Sequence, residues 1–230
     1  MAEWVHVNKT DICFILTDSK DGDLGHNSGQ KGLKARKKLT ESPWITVNQV
    51  HGGTIYSVDP KQLNTFPKSQ LDLVSADGII CGGPFNPIAV FGADCGTLGF
   101  ASKEGIYGVA HCGWRGLEEN IVGNTAKSMR LLGATDIYGI IGHAIGRCCY
   151  EFSSDDLKRI ENQINAEVAG ETRQGKISLD LKKAIEIQMS RAFIEITYKS
   201  ERCTACDQDL FSWRRDMTTE RQAIVGIVKT

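Results

Sequence analysis

The sequence predicts a mixed α/β fold in which short strands outnumber helices and the two do not alternate regularly. Three observations predict it. Short apolar runs rich in Val, Ile, Phe and Tyr recur along the chain, bounded by turn residues such as Gly and Asp. Several, such as Ile88-Ala89-Val90-Phe91, are apolar throughout, as expected of sheets covered on both faces. Only a few segments carry the three-to-four-residue spacing of an amphipathic helix. There is no internal repeat and no low-complexity linker. Residues 1–230 therefore read as one domain of mixed sheets with helices packed outside.

In chain order, strands are expected at 12–17, 44–48, 54–58, 78–81, 88–92, 98–101, 106–110, 137–141, 194–198 and 223–228. A helix is expected at 30–39, where the basic residues from Lys31 to Lys38 form a solvated face. A longer helix at 117–132 puts Leu117, Ile121, Val122, Met129 and Leu132 on one side. Glu118 and Glu119 lie in its first turn, Arg130 in its last, and Gly133 stops it. Ser and Asp in capping positions open a helix at 154–160. At 180–193, Leu181, Ala184, Ile185, Met189 and Ala192 make a single apolar stripe.

Composition narrows the function. Twenty-seven Lys and Arg against 28 Asp and Glu give a net charge of −1, which argues against a bulk electrostatic grip on nucleic acid or anionic lipid. The uncharged stretch 78–93 is interrupted by two Pro and four Gly and is no membrane span. The first ten residues include Glu3 and His6 with no apolar run, so no signal peptide is expected. Eight cysteines could form four disulfides, but a chain this long can bury a core without them. The expectation is a cytoplasmic protein with reduced thiols.

The informative polar residues stand where apolar strands end, the place open sheets use for ligands. The segment 88–92 runs into Asp94-Cys95, and 106–110 into His111-Cys112-Gly113-Trp114-Arg115-Gly116. The segment 137–141 runs into Gly142-His143, and 47–50 delivers His51-Gly52-Gly53. A lone His after a strand is commonly a hydrogen-bonded structural residue, and a lone buried Cys a small hydrophobe. Together, His51, Cys95 and His111 offer the imidazole and thiolate donors that Zn²⁺ prefers, in the three-ligand number of a catalytic site. Arg115, beside an expected helix start, offers a planar fork for phosphate or carboxylate; the alternative is a structural ion pair beside a buried Trp114.

The pieces Gln49-Val50-His51-Gly52, Ala76-Asp77-Gly78, Ala93-Asp94-Cys95, Ala110-His111-Cys112-Gly113-Trp114-Arg115-Gly116, Ile141-Gly142…Ile145-Gly146 with Cys149-Tyr150-Glu151, Cys203-Thr204 and Phe211-Ser212-Trp213-Arg214-Arg215-Asp216 follow one another in the order of a known family. The sequence resembles the laccase-domain family, polyphenol-oxidase-like proteins also described as peptidoglycan editing factors and purine nucleoside phosphorylases. The resemblance implies a four-layer α/β/β/α fold and a metal, usually zinc, on His51, Cys95 and His111. It also implies phosphorolysis of adenosine, inosine and methylthioadenosine, with adenosine deamination at the same site. The chain departs from the family in three places. Thr17-Asp18-Ser19-Lys20 lacks the family's N-terminal Arg, so anion binding needs a substitute such as Lys20, Lys34 or Arg36. Thr97 and His143 replace two prolines.

In a metal-assisted nucleoside enzyme, Asp94 would be a general acid or an orienter of the ligands, and Asp77 would position substrate unless it is a simple turn residue. His143 would be a further contact to metal or substrate, or a loop residue. Two other chemistries use the same residues. Cys95 and His111 have the parts of a cysteine hydrolase acting on amides of cell-wall precursors. A mononuclear copper oxidase could also use a His₂Cys set. The remaining Cys203-x-x-Cys206 lacks a second spaced pair, since Cys148 and Cys149 are adjacent, and is expected to pack.

Overall fold

The computed structural model describes residues 1–58, 74–84 and 86–229. Its strands are β1 (Glu3–His6), β2 (Ile12–Leu16), β3 (Ile55–Ser57), β4 (Gly78–Gly82), β5 (Ile88–Gly92), β6 (Gly96–Ser102), β7 (Ile106–Cys112), β8 (Ile137–Ile141), β9 (Ala169–Glu171), β10 (Ile177–Leu179), β11 (Ile194–Lys199) and β12 (Gln222–Val228). Its helices are α1 (Gly29–Leu39), α2 (Trp114–Glu118), α3 (Ile121–Leu131), α4 (Ser154–Ile164), α5 (Leu181–Arg191) and α6 (Trp213–Asp216).

Two sheets hold the centre. One runs β1-β2-β12-β5 and is antiparallel; the other runs β11-β8-β6-β7-β4-β3 and is mixed, with parallel pairs at β11–β8 and β3–β4. Strand alternation assigns the layers, because successive side chains face opposite sides. Ile12, Phe14 and Leu16 of β2, Ile88 and Val90 of β5 and Ile224 of β12 meet Ile79 and Cys81 of β4, Tyr107 and Val109 of β7, and Tyr138 and Ile140 of β8. The intervening residues face outward. Ile15, Ala89, Phe91, Ala223 and Val225 lie under Ala35 and Leu39 of α1. Ile80, Leu98, Phe100, Ala110, Ile137 and Ile141 lie under α2 to α5, through Leu117, Ile121, Met129, Leu157, Ile160, Ala184 and Ile185. The order is α/β/β/α, as the resemblance implies. Burial on both faces is why these strands read as continuous apolar runs.

Close approach of the sheets depends on Gly99, since a Cβ there would stand 2.8 Å from the Phe14 ring. No helix among the described residues is long and apolar enough to cross a membrane.

The structure corrects several local expectations. The segment 44–48 is not a strand of either sheet but a connection making single bridges, Ile45 to Ile88 and Asn48 to Ser75. The helix expected at 117–132 starts at Trp114 and breaks before Ile121. Asn120 adopts a left-handed conformation (φ 54°) and its side chain caps the Gly123 amide, ending one helix and starting the next. Strands β1, β9 and β10 and helix α6 were not expected.

Candidate metal centre and its cavity

Two sheet-to-sheet crossings and one strand end build the centre. Residues 93–95 carry the chain from β5 in one sheet to β6 in the other, and residues 48–54 lead from the Ile45 bridge to β3. His51, Cys95 and His111 converge there, with one ligand atom from each lying within 4.8 Å of the others. The two imidazole rings stand edge to face, their centroids 4.7 Å apart. His111 shares the inward face of β7 with Tyr107 and Val109, whereas Cys112 points into the helix layer. Gly113 leaves room for the thiol: a Cβ on it would stand 2.9 Å from Cys95 Sγ.

Asp77 fixes two of the three candidate ligands. It is fully buried, and its Oδ1 accepts from His111 Nδ1 at 2.9 Å. That bond puts the ring proton on Nδ1 and leaves Nε2 toward the centre. The same carboxylate accepts from the amides of Val50 (3.2 Å), His51 (2.9 Å) and Gly52 (2.6 Å). It thereby pins the loop in which His51 takes a left-handed φ of 64°. Burial alone would raise the Asp77 carboxyl; hydrogen bonds from His111, Gly52 and His51 outweigh it and hold it below the usual carboxylate range. Gln49 supports the loop from the other side, exchanging two 2.8 Å hydrogen bonds with the backbone of Phe91 on β5.

Among the described thiols of this centre, Cys95 is the one whose pKa is lowered. Burial would push it up, but the charge and hydrogen bond of His111, joined by His51, bring it down to about 6. For His111, burial favours the neutral ring, and the Cys95 thiolate and Asp77 reverse that preference, raising it to about 9. Without a metal the pair is therefore a thiolate beside an imidazolium. The neighbouring Cys112, buried without a partner of opposite charge, is raised well above the ordinary thiol range.

The centre opens on a cavity of about 930 Å³, large enough for a nucleoside-sized ligand. Its walls include Phe91, Trp114, Tyr150 and Trp213, three arginines (Arg115, Arg214 and Arg221) and one carboxylate, Asp94. Asp94 sits at a strained φ of 106°. Its Oδ1 accepts from Thr204 Oγ1 and its Oδ2 from the Arg214 amide, each at 2.6 Å. Both oxygens of Asp94 are thus engaged as acceptors and tie the Thr204 and Arg214 segments to the cavity wall. The Arg115 guanidinium lies 4.4 Å from the Trp114 ring centroid and that of Arg214 5.4 Å from Tyr150, cations held over aromatic faces.

Among the expected site residues, His51, Asp94, Cys95, His111 and Arg115 share this cavity. Asp77 is not in the lining: it stands behind the cavity and bonds both His111 and the His51 loop. His143 does not line the cavity: it is buried, with Nδ1 2.8 Å from Ser200 Oγ. Its burial and the nearby charges of Arg202 and Lys182 push its imidazole down to about 4. The expected substitutes for the family's N-terminal Arg also lie outside the lining. Lys20 pairs with Asp209 at 2.5 Å, and Arg36 donates to the Leu24 carbonyl and covers Phe91. The cavity draws its cations instead from Arg214 and Arg221 as well as Arg115. Tyr150, Trp213 and Arg214 belong to motifs visible in the sequence, but their placement depends on long-range folding that no local spacing reveals.

Residues 19–229 match the family described as multi-copper polyphenol oxidoreductase laccase. A protein named purine nucleoside phosphorylase YlmD from Geobacillus stearothermophilus is 33% identical over 195 residues, spanning 80% of this chain and 71% of that protein. Another, purine nucleoside phosphorylase Cgl2154/cg2365 from Corynebacterium glutamicum, is 28% identical over 83% of this chain and 75% of its own length. The crystal structure of the Geobacillus YlmD superposes with a TM-score of 0.82 at 27% identity, covering 99% of this chain and 96% of that one. The Bacillus licheniformis protein YfiH shares the fold, with a TM-score of 0.80 at 23% identity.

Proposed function

The chain belongs to the multi-copper polyphenol oxidoreductase laccase family, and from that premise we propose that it is a metal-dependent purine nucleoside phosphorylase. The observation that carries the proposal is the convergence of an open His₂Cys donor set, aromatic walls and three arginines on one nucleoside-sized cavity.

The donor set fits zinc: two imidazoles and an ionised thiol within 4.8 Å, with an Asp behind one ring and no fourth side-chain ligand in the group. Zinc held by His51, Cys95 and His111 would supply Lewis acidity at the cavity wall. Copper at this centre would lack its usual weak axial thioether, since no Met lines the cavity among the described residues. The chain's own residues do the rest. Trp213, half exposed in the cavity wall, offers a face against which a purine can stack. Arg115, Arg214 and Arg221 gather phosphate and hold it for attack on ribose C1′, where a C–O bond forms as the bond to the purine nitrogen breaks and the leaving nitrogen takes up the proton that the phosphate gives up. Asp94 orients the Arg214 segment that carries this charge.

Adenosine, inosine and methylthioadenosine are the proposed substrates, with deamination of adenosine by water at purine C6 as a second activity of the cavity. The cytoplasm, where thiols stay reduced, is the proposed compartment. Zinc-loaded protein is expected to release free base together with ribose 1-phosphate (5-methylthioribose 1-phosphate from methylthioadenosine) only when phosphate is supplied. Metal-loaded protein that turns over none of the three nucleosides would overturn the assignment.

A second reading rests on one specific observation. Cys95, His111 and Asp77 form a nucleophile, base and orienter in sequence of contact, the arrangement of a cysteine amide hydrolase. It leaves His51 without a task. Amide cleavage by zinc-free protein, abolished by alkylating Cys95, would establish it over the phosphorylase.

A further inference from the structure

Four cysteines outside the cavity lining come together from two distant loops. Cys148 and Cys149 follow β8, and Cys203 and Cys206 follow β11. Their four Sγ atoms all lie within 4.8 Å of one another. Cys206 Sγ is 3.5 Å from that of Cys148 and 3.3 Å from that of Cys149.

We propose that Cys148, Cys149, Cys203 and Cys206 bind one zinc ion as a closed tetrathiolate site, separate from the His51–Cys95–His111 centre, and that this ion clamps the two loops together. Zinc–sulfur bonds of about 2.3 Å in a tetrahedron place the sulfurs about 3.8 Å apart, the scale of the observed spacing. Disulfide pairing accounts for it less well, because Cys206 stands within reach of two sulfurs and can bond to only one. A polynuclear iron cluster, whose sulfurs grip different metal atoms, needs a wider spread.

The backbone is shaped for such a site. The Gly146 amide donates to Cys203 Sγ at 3.1 Å, the kind of bond that supports a ligating thiolate. A Cβ on Gly146 would stand 3.2 Å from Cys148 Sγ and from Cys203 Cβ, so the loop approaches as closely as backbone allows. The amides of Cys206 and Asp207 both donate to the Cys203 carbonyl, at 3.0 and 2.9 Å, in a tight turn that folds Cys206 back beside Cys203. Adjacent ligands in one loop and a two-residue gap in the other explain why sequence spacing does not advertise the site.

The clamped loops are walls of the cavity. Tyr150 follows Cys149 directly, and Thr204, next to Cys203, donates to Asp94. Closed coordination and a position outside the lining assign the ion a structural task.

Metal content and zinc-edge X-ray absorption of the purified full chain test the proposal. The double variant Cys203→Ser/Cys206→Ser is expected to carry one zinc per chain fewer than the wild type. The double variant His51→Ala/Cys95→Ala is expected to retain a zinc with sulfur-only coordination, and to lose melting temperature when a strong chelator removes it. This second variant keeps the test intact if loss of the clamp prevents folding, and it reads the site independently of phosphorylase activity. Nitrogen or oxygen ligands, no zinc in the His51→Ala/Cys95→Ala protein, or disulfide-linked peptides among the four cysteines would overturn the proposal.

Discussion

The chain gathers cysteine sulfur in two places, and the two are built on opposite plans. At the cavity, one thiol stands with two imidazoles, and a buried carboxylate stiffens the group from behind. At the loops after β8 and β11, four thiols lie within 4.8 Å of one another, none of them in the cavity lining. The first set is incomplete as coordination and open to a ligand; the second is complete and closed. An incomplete set beside a cavity is suited to reaction, a complete one to holding chain segments. Counting cysteines does not separate these roles; the identity of the neighbours does. His111 and His51 bring the Cys95 thiol down to about 6, whereas burial raises Cys148 to about 11 when no ion is present.

Experiments can break this contrast. The largest effect is expected for Cys95→Ala, which should remove the cavity metal and lower turnover by roughly a thousandfold or more while leaving the fold intact. Measurable turnover with no cavity metal would dissolve the distinction. On the loop side, His143 carries a pH signature. Its pKa falls from 6.5 in the unfolded chain to about 4 in the folded one, so the unfolded state binds more protons between those values. That part of the stability is full above pH 6.5 and is lost as the pH falls toward 4, an effect on the order of 3 kcal/mol. Melting curves across that range should be flatter for His143→Gln than for the wild type. Asp77→Asn should weaken zinc binding or activity by about 10- to 100-fold, read by chelator competition, because it disturbs the His111 ring and the loop that carries His51. Smallest of the four, Arg214→Ala should raise the KM for phosphate about tenfold, whereas Lys20→Ala, paired with Asp209 outside the cavity, should leave it unchanged.

The central strands were legible because they are apolar on both faces, and β5 and β8 match their expected limits. Strand β1 was not, since Glu3-Trp4-Val5-His6 sits at a sheet edge with only Val5 buried. Strands β9 and β10 are three residues each, too short to show a period. The break at Asn120 was hidden because the apolar face continues on both sides of it. In the centre, His51, Cys95 and His111 could be singled out at strand ends from sequence alone. Asp77 could not be given its role, because only the fold shows that one carboxylate reaches both His111 and the His51 loop. Cys203 and Cys206 were read as packing for the same reason: β8 and β11 are sequence-distant, and their parallel pairing is what brings the two loops side by side.

Two of the three cavity ligands sit on segments that pass from one sheet to the other, Cys95 between β5 and β6 and His51 between the Ile45 bridge and β3. An ion held there is a rivet through the sandwich. Any slip of one sheet over the other would pull its ligands apart, so ligand occupancy and sheet registry must rise and fall together. Filling the centre thus resists shear of the whole core, and at a metal concentration one hundred times the dissociation constant it adds about 2.7 kcal/mol against unfolding.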